Sequence, residues 1–333
     1  MTVSATRDPE TPRVARTREK LFTWKLLIGV VFVAALLVVS LLTGQYDIFG
    51  QDDGGEMFAI TRIPRTISLV LAGAAMAMSG LVLQILTQNR FVSPTTTGTT
   101  EWAGLGLLFT MWFIPAATVT QRMVGAVVFS FIGTMVFFFF LRKVSLRSSL
   151  IVPIIGIMLG AVVSSISTFF ALQTDMLQSL GIWFAGSFTS VFRGQYEVLW
   201  IVLAVVVAVF FYADRLTVAG LGEDIATNVG LNYQRMVLIG TALIAVATGV
   251  VTVVVGNLPF LGLIVPNIVS LIRGDDLRSN LPWVCLAGIA IVTICDLFAR
   301  TIIAPFEIPV SVVLGIVGAV VFVTLILRQR KHG

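Results

Sequence analysis

Long apolar stretches follow one another along almost the whole chain, separated by short polar segments. The first runs from Trp24 to Leu42, and comparable stretches recur as far as residue 328. A helix needs roughly 20 apolar residues to cross ~30 Å of hydrocarbon. Only 12% of the 333 residues are charged, about half the share of a typical soluble domain, and the mean hydropathy is +0.99. The sequence therefore predicts an all-α polytopic membrane protein and excludes water-soluble enzymes and nucleic-acid-binding proteins.

We predict about ten transmembrane helices from these stretches and the turn signals between them. The predicted spans are 24–43, 66–87, 101–115, 123–141, 149–172, 196–212, 235–255, 258–273, 281–299 and 309–328. The third and eighth are short, and each adjoins a segment rich in glycine and proline, Pro94 to Gly106 and Gly256 to Pro266. Irregular backbone is tolerated at membrane depth where protein or a water-filled cavity covers it. These two segments are candidates for lining a transport path, and ordinary kinked helices are the open alternative.

The basic residues set the orientation in the membrane. If the N-terminus is cytoplasmic, 17 of the 22 Lys and Arg residues fall on the inside. The five left outside are Arg62, Arg65, Arg122, Arg193 and Arg300. Both termini are then cytoplasmic, as a basic tail over 1–23 and a short tail over 329–333.

The transmembrane domain, predicted over 24–328, contains one long cytoplasmic segment at 213–234. The pattern residues in this segment are Leu221, Ile225 and Val229 at helical spacing, Glu223 and Asp224 in a first turn, and Gly230 as a C-cap. The pattern predicts a short amphipathic helix. Its apolar face either covers its own bundle or docks on a partner.

Few side chains in this chain can carry chemistry. The only histidine, His332, lies in the C-terminal tail, so the chain cannot build a bis-histidine haem or a histidine-rich metal site. Cys285 and Cys295 would lie ~15 Å apart on one helix, too far for a disulfide. No lysine in the chain belongs to a Walker A motif. We therefore predict no catalytic residues, no metal site, no cofactor and no nucleotide site, as in a transporter subunit rather than an enzyme.

One acidic residue, Asp296, approaches the interior of a predicted span, and Arg300 follows it by one helical turn. This spacing favours a local ion pair over a proton relay. Energy for transport is then expected from a partner protein, which makes 213–234 a candidate docking segment. An ion-coupled secondary transporter is the alternative.

Several short motifs occur in a fixed order from Trp24 to Arg330. They are Arg62-x-Pro64-Arg65, Gly73-Ala74-Ala75 with Ser79-Gly80 and Gln84, Asn89 to Pro94, Leu221-Gly222-Glu223-Asp224 with Gly230 and Arg235, Gly256-x-x-x-Phe260-x-Gly262-Leu263-Ile264-Val265-Pro266, Asp296-Leu297-Phe298-Ala299-Arg300, and Glu307-Ile308-Pro309-Val310. Together they resemble the FecCD-type permease subunits of ABC importers for iron(III)-siderophores and vitamin B12.

The resemblance implies the type II ABC importer permease architecture, a place in the cell membrane and a ferric siderophore as cargo. The partners it implies are a cytoplasmic ABC ATPase dimer, a second permease subunit of the same or a different sequence, an extracytoplasmic siderophore-binding protein and the lipid bilayer. Two positions depart from the common pattern: Asn267 stands where many relatives have His, and Thr95 to Trp102 replaces a Leu-Gly-Val segment. The second variant is similar to the subgroup for catecholate siderophores. A permease for another metal chelate, haem or vitamin B12, is the alternative.

Three groups of residues become candidate sites. Docking of the binding protein is expected at Arg62, Arg65 and Arg300, unless these residues snorkel to lipid head groups or pair internally. The internal pairs would be Arg300 with Asp296, and the other two arginines with acidic groups of the first outer loop, Gly44 to Ala59. Coupling to the ATPase is expected at Leu221, Gly222, Glu223, Asp224, Ile225 and Gly230. The translocation path is expected at Thr97, Thr100, Glu101, Pro266 and Asn267, with threonine capping of the third span as the alternative for the first two.

Overall fold

The computed structural model describes residues 24–44, 53–143 and 150–329. Every regular element in these ranges is helical. The α-helices are α1 Trp24–Leu42, α2 Gly54–Met57, α3 Ile63–Leu86, α4 Thr99–Phe113, α5 Val119–Lys143, α6 Ile151–Gln173, α7 Leu177–Phe184, α8 Trp200–Ala219, α9 Glu223–Asn228, α10 Tyr233–Val254, α11 Leu261–Arg273, α12 Leu277–Thr301 and α13 Val310–Gln329. The described ranges leave out the predicted tail over 1–23, residues 45–52 of the first outer loop and residues 330–333.

Seven helical stretches in the described ranges are long and apolar enough to cross a membrane. Two shorter apolar helices, Leu261–Arg273 and Val310–Thr324, fall at predicted spans. The all-α polytopic architecture is thus confirmed. The count of ten spans stays a prediction, because length and composition support seven.

The centre of the bundle is α3, which packs against α8, α10, α11 and α12. A π-helical turn at Phe58–Arg62 joins it to α2, and Pro64 is the second residue of α3. Its side chains Leu69, Ala72 and Leu83 are fully buried. The helical path therefore starts at Gly54, twelve residues before the predicted start at 66.

Two glycines let neighbouring backbones come close to α3. A Cβ atom on Gly80 would lie 1.8 Å from the carbonyl oxygen of Gly262 in α11. A Cβ atom on Gly73 would lie 3.0 Å from the carbonyl oxygen of Gly288 in α12. Only a residue without a side chain fits at Gly80.

The outer helices leave apolar side chains uncovered. Most of α1 lies outside the core, with Leu27, Val31 and Phe32 exposed, and α6 exposes Ile157 and Val162. Apolar side chains on a membrane helix face lipid or another subunit. Gly156 and Gly160 form a GxxxG pair, which indicates close packing. Both glycines do pack closely, against the backbone of Thr96–Gly98.

The moderately apolar stretch Met176 to Phe192 predicts a partial helix in the connection between α6 and α8. The structure contains this partial helix as α7, Leu177–Phe184. Gly186, with a φ of +54°, follows α7 and lies against the backbone of Asn257.

Candidate functional site

Two arginines and two acids from distant parts of the chain meet at the outer end of the bundle. Arg65 of α3 donates from Nη2 to Asp296 Oδ1 at 2.8 Å and from Nη1 to Glu307 Oε2 at 2.9 Å. Arg300 Nη2 lies 2.8 Å from Asp296 Oδ2. We call Arg65, Asp296, Arg300 and Glu307 the outer ion cluster. Its formal charges balance, which buried ions require.

Arginine side chains also cap the outer end of α1. Arg300 and Arg62 both donate to main-chain carbonyl groups there, and the last carbonyls of a helix have no partner within it. The acceptors are Ser40 O and Thr43 O for Arg300, at 3.2 and 2.9 Å, and Leu41 O and Leu42 O for Arg62, at 3.2 and 3.1 Å. Arg300 Nη2 additionally donates to Ser40 Oγ at 2.7 Å.

The three arginines expected to meet a binding protein are therefore mostly enclosed. Arg62 and Arg300 are 8% and 4% exposed. The internal pairing of Arg300 with Asp296 is confirmed, while Arg65 pairs with Asp296 and Glu307 instead of the first outer loop. All three arginines line a cavity of about 260 Å³ that also contains Thr189 and Glu307.

Glu307 lies in the loop between α12 and α13, at the rim of this cavity. Burial by itself would raise the pKa of its carboxyl group. The positive charge of Arg65 and a 2.6 Å hydrogen bond from Thr189 Oγ1 outweigh burial, so the pKa lies below its ordinary value. The carboxylate is thus ionised at neutral pH and keeps its bond with Arg65.

The segment predicted to be cytoplasmic, 213–234, contains the short helix that its pattern predicts, α9. Gly222, with a φ of +107°, precedes α9, and Gly230, with a φ of +81°, follows it. The N–H of Gly230 donates to Thr227 O and that of Leu231 donates to Ala226 O, both at 2.9 Å, which is a Schellman C-cap.

Only one side of α9 packs on the bundle. Ala226 is fully buried, whereas Leu221, Ile225 and Val229 are 56%, 47% and 66% exposed. Glu223 and Asp224 are exposed in the first turn. The apolar face of α9 is therefore uncovered in the isolated chain.

A cavity of about 320 Å³, lined by both polar and apolar side chains, lies next to Leu221 at the end of the bundle predicted to be cytoplasmic. Its wall includes Leu221, Gln84, Pro266 and Asn267. Asn267 Nδ2 donates to Arg90 O at 2.8 Å and to Leu263 O at 2.7 Å. Two of the predicted path residues thus lie at the inner end of the bundle.

The predicted path residues Thr97 and Glu101 lie against the side of α6 that faces the bundle. Thr97 Oγ1 bonds to Ser93 O at 3.1 Å and to Thr99 Oγ1 at 2.9 Å, and both threonines are buried. The N-cap of α4 is Gly98, without a side-chain capping bond, so threonine capping is not found there.

Thr100 and Glu101 each bury an oxygen that has no hydrogen-bond partner in the described residues. The carboxyl group of Glu101 faces α6, because a Cβ atom on Gly160 would lie 3.6 Å from it. The Glu101 carboxyl group therefore lies against the side of α6 that faces the bundle.

Sequence reasoning missed a set of hydroxyl side chains on α6. Ser164, Ser165 and Thr168 are exposed on this apolar helix. Ser165 donates to Ala161 O at 2.9 Å and Thr168 to Ser164 O at 2.8 Å, so both are satisfied within the helix. Their spacing of three and four residues within an apolar span was the available signal.

Within the described ranges, no group of three or more His, Cys, Asp or Glu side chains is placed to hold a metal ion. Cys285 and Cys295 are both free thiols.

Comparison with known proteins decides the family. The FecCD transport family matches residues 20–328. The chain belongs to this family. As a FecCD-family protein with several membrane-crossing helices, it is a multi-pass membrane transport component.

Two similar relatives of this FecCD-family chain are named as petrobactin permeases. The petrobactin import system permease protein FatD of Bacillus anthracis is 63% identical over 312 residues, which cover 94% of this chain and 93% of the relative. The petrobactin import system permease protein YclN of Bacillus subtilis (strain 168) is 39% identical over 315 residues, covering 92% and 99%.

The fold of the FecCD-family chain also has a solved counterpart. An inward-facing structure of a metal-chelate-type ABC transporter matches with a TM-score of 0.79 at 24% identity, covering 92% of this chain and 100% of that one. At this identity the match supports the architecture alone.

Proposed function

We propose that this chain is the permease subunit of an ATP-binding-cassette importer that carries ferric siderophores of the petrobactin class into the cytoplasm. The 63% identity to a petrobactin import permease, over nearly the full length of both chains, carries the proposal. The catecholate-like segment Thr95 to Trp102 and the second petrobactin relative support the same cargo over haem or vitamin B12.

A permease of this kind works with an ATPase and a substrate-binding protein. Uptake of ferric petrobactin by vesicles that contain the chain, with and without its ATPase, tests the proposal. Uptake that needs ATP and the ATPase is expected. Uptake driven by an ion gradient without the ATPase would favour the secondary transporter, against which the pairing of Asp296 with two arginines already argues.

The ATPase docks, in this proposal, on the uncovered face of α9. An apolar patch in water is unfavourable and marks an interaction surface. Leu221, Ile225 and Val229 supply the patch, and the exposed Glu223 and Asp224 supply charge beside it. Gly222 and Gly230 fix the two ends of α9, so the helix presents this face rigidly.

Cross-linking tests this docking. Thr227→Cys places a thiol on exposed α9, whereas a cysteine at Gly222 would strain a left-handed backbone position. The control is Thr301→Cys, exposed at the outer end of α12. We expect cross-links to the ATPase from position 227 only, and uncoupling of ATP hydrolysis from uptake by Glu223→Arg. Equal cross-linking at both positions, or none at 227 with any nucleotide, would contradict docking on α9.

The binding protein docks, in this proposal, over the outer cavity. Arg62, Arg65 and Arg300 line that cavity, so an acidic side chain entering it meets three guanidinium groups. Their burial means that most of their charge already serves α1 and the outer ion cluster. Contact with a partner then acts mainly on the association rate and its salt dependence.

A matched pair of variants separates the effect of a cavity-lining arginine on binding-protein capture from the effect of net charge. Arg62→Gln and Arg122→Gln each remove one basic residue from the outer side, but only Arg62 lines the cavity. We expect slower capture of the binding protein at low salt for Arg62→Gln alone. Equal rates for the two variants would refute the docking role.

The translocation path runs, in this proposal, along the hydroxyl face of α6, between this chain and a second permease subunit. Hydroxyl groups offer polar contact without fixed charge, which suits a bulky chelate that must also leave. Thr97 and Glu101 lie against α6 on its side facing the bundle, and Thr100 is buried next to Glu101 in α4. Pro266 and Asn267 line the inner end. Whether the second subunit is a copy of this chain is a further outcome of purifying the complex.

Uptake measurements test the path. Ser165→Phe should block uptake, while Val38→Phe, exposed on peripheral α1, should not. Thr100→Val preserves shape and removes the hydroxyl group. Normal uptake by Ser165→Phe would place the path elsewhere.

A further inference from the structure

An apolar groove opens on the side of the bundle, far from α6 and α9 in sequence and packing. It lies between α1, α11 and α12 and encloses about 390 Å³. Phe32, Ile272 and Leu286 contribute to its wall, and Phe32 and Ile272 are more than half exposed. On a membrane helix such exposure faces lipid or another subunit, so the groove is open at the surface of the bundle.

Two basic residues stand at the cytoplasmic mouth of the groove. Lys25 is the second residue of α1, and Arg273 is the last residue of α11. The guanidinium carbon of Arg273 lies 5.0 Å from the ring centroid of Trp283, which holds the charge at the groove wall.

The floor of the groove depends on a residue without a side chain. A Cβ atom on Gly29 would lie 3.4 Å from both Leu286 Cδ1 and the Trp283 ring. Any longer side chain at position 29 would extend into the space above them. The groove is thus a cleft with a basic mouth, an aromatic wall and an apolar length.

We propose that this groove binds one anionic phospholipid of the inner leaflet. The phosphate group lies between Lys25 and Arg273, and an acyl chain lies along Phe32 and Leu286. Basic pockets between helices at the cytoplasmic surface suit anionic head groups. A second copy of this chain fits poorly, because a twofold contact would bring these positive mouths together. A free anion would leave the apolar length unfilled.

Native mass spectrometry of the full chain from nanodiscs tests this site. The discs contain equal amounts of phosphatidylglycerol and phosphatidylcholine. We compare Lys25→Gln/Arg273→Gln with the control Arg142→Gln/Lys143→Gln, which removes two charges from the cytoplasmic end of α5. The control also matches the aromatic contact, because Lys143 Nζ lies 4.6 Å from the Phe139 ring centroid.

We expect the parent and the control to retain one phosphatidylglycerol molecule. The groove variant should lose its preference for anionic over neutral lipid by about 30-fold, since each basic residue near an anionic lipid changes affinity about fivefold. Equal retention by the two double variants, or equal binding of both lipids by the parent, would overturn the proposal.

Two further variants keep the test decisive if the groove variant folds poorly. Lys25→Arg/Arg273→Lys preserves both charges and should retain phosphatidylglycerol. Gly29→Leu preserves both charges but fills the groove, and should lose the bound lipid. Retention by Gly29→Leu at the parent level would also refute an acyl chain in this groove.

Discussion

Removing the charge of Asp296 should destabilise the protein far more than removing an exposed acid. Asp296 is 1% exposed and holds two guanidinium groups. Asp296→Asn keeps the shape but leaves the outer ion cluster with one uncompensated positive charge. The asparagine amide also places an N–H group, which can only donate, opposite guanidinium groups that need an acceptor.

The magnitude follows from burial. Breaking a buried ion pair by removing one partner costs about 3–5 kcal/mol, because a charge is left unpaired. Asp214→Asn is the control, because the side chains of Asp214 and its partner Arg278 are 70% and 54% exposed. Exposed pairs contribute about 0–1 kcal/mol.

Denaturant titration of the purified chain in micelles, followed by tryptophan fluorescence, measures both variants. Adding Arg300→Met to Asp296→Asn restores charge balance, so the double variant should lose less stability than the sum of the single changes, by about 1–2 kcal/mol. If Asp296→Asn costs no more than Asp214→Asn, the outer ion cluster does not hold the outer end together.

Two other predictions concern the same fold. Because the pKa of Glu307 is lowered in the folded protein, its stabilisation is present above its unfolded pKa and is lost as the pH falls through its folded pKa. The stability difference between the parent and Glu307→Gln should therefore stay constant above the unfolded pKa and shrink as the pH falls below it, and a difference that does not change on acidification would contradict this. Gly80→Ala should cost at least ~2 kcal/mol by denaturant titration, because its Cβ would collide with Gly262 O. Gly315→Ala, where a Cβ meets no atom within 4 Å, should be neutral or stabilising by up to ~1 kcal/mol, and equal costs would exclude the contact as the cause.

Long apolar helices were predictable, because a run of roughly 20 apolar residues is visible in the sequence itself. The spans expected at 149–172 and 235–255 correspond to α6 Ile151–Gln173 and α10 Tyr233–Val254. The start of the second span was not predictable. Arg62 and Arg65 read as water-facing residues, but carbonyl groups of α1 and two carboxylates accept their hydrogen bonds.

Local signals also predicted α9, because its spacing, first-turn acids and terminal glycine lie within ten residues. The Asp296–Arg300 pair was readable for the same reason. Arg65 lies 231 residues from Asp296 and 242 from Glu307, so only the packing of α3 against α12 brings them together. Spacing along the chain carries no trace of such a contact.

The glycine contacts of α3 have a mechanical meaning. Gly80 receives the backbone of α11 and Gly73 that of α12, so neither helix can slide along α3 without driving an atom into a carbonyl group. The three helices must then shift together. Arg65 and Gln84 lie about 30 Å apart along α3, near opposite surfaces of the membrane. We therefore expect a displacement imposed at the cytoplasmic end of these helices to move the outer cavity as well, because the three helices move as one rigid unit.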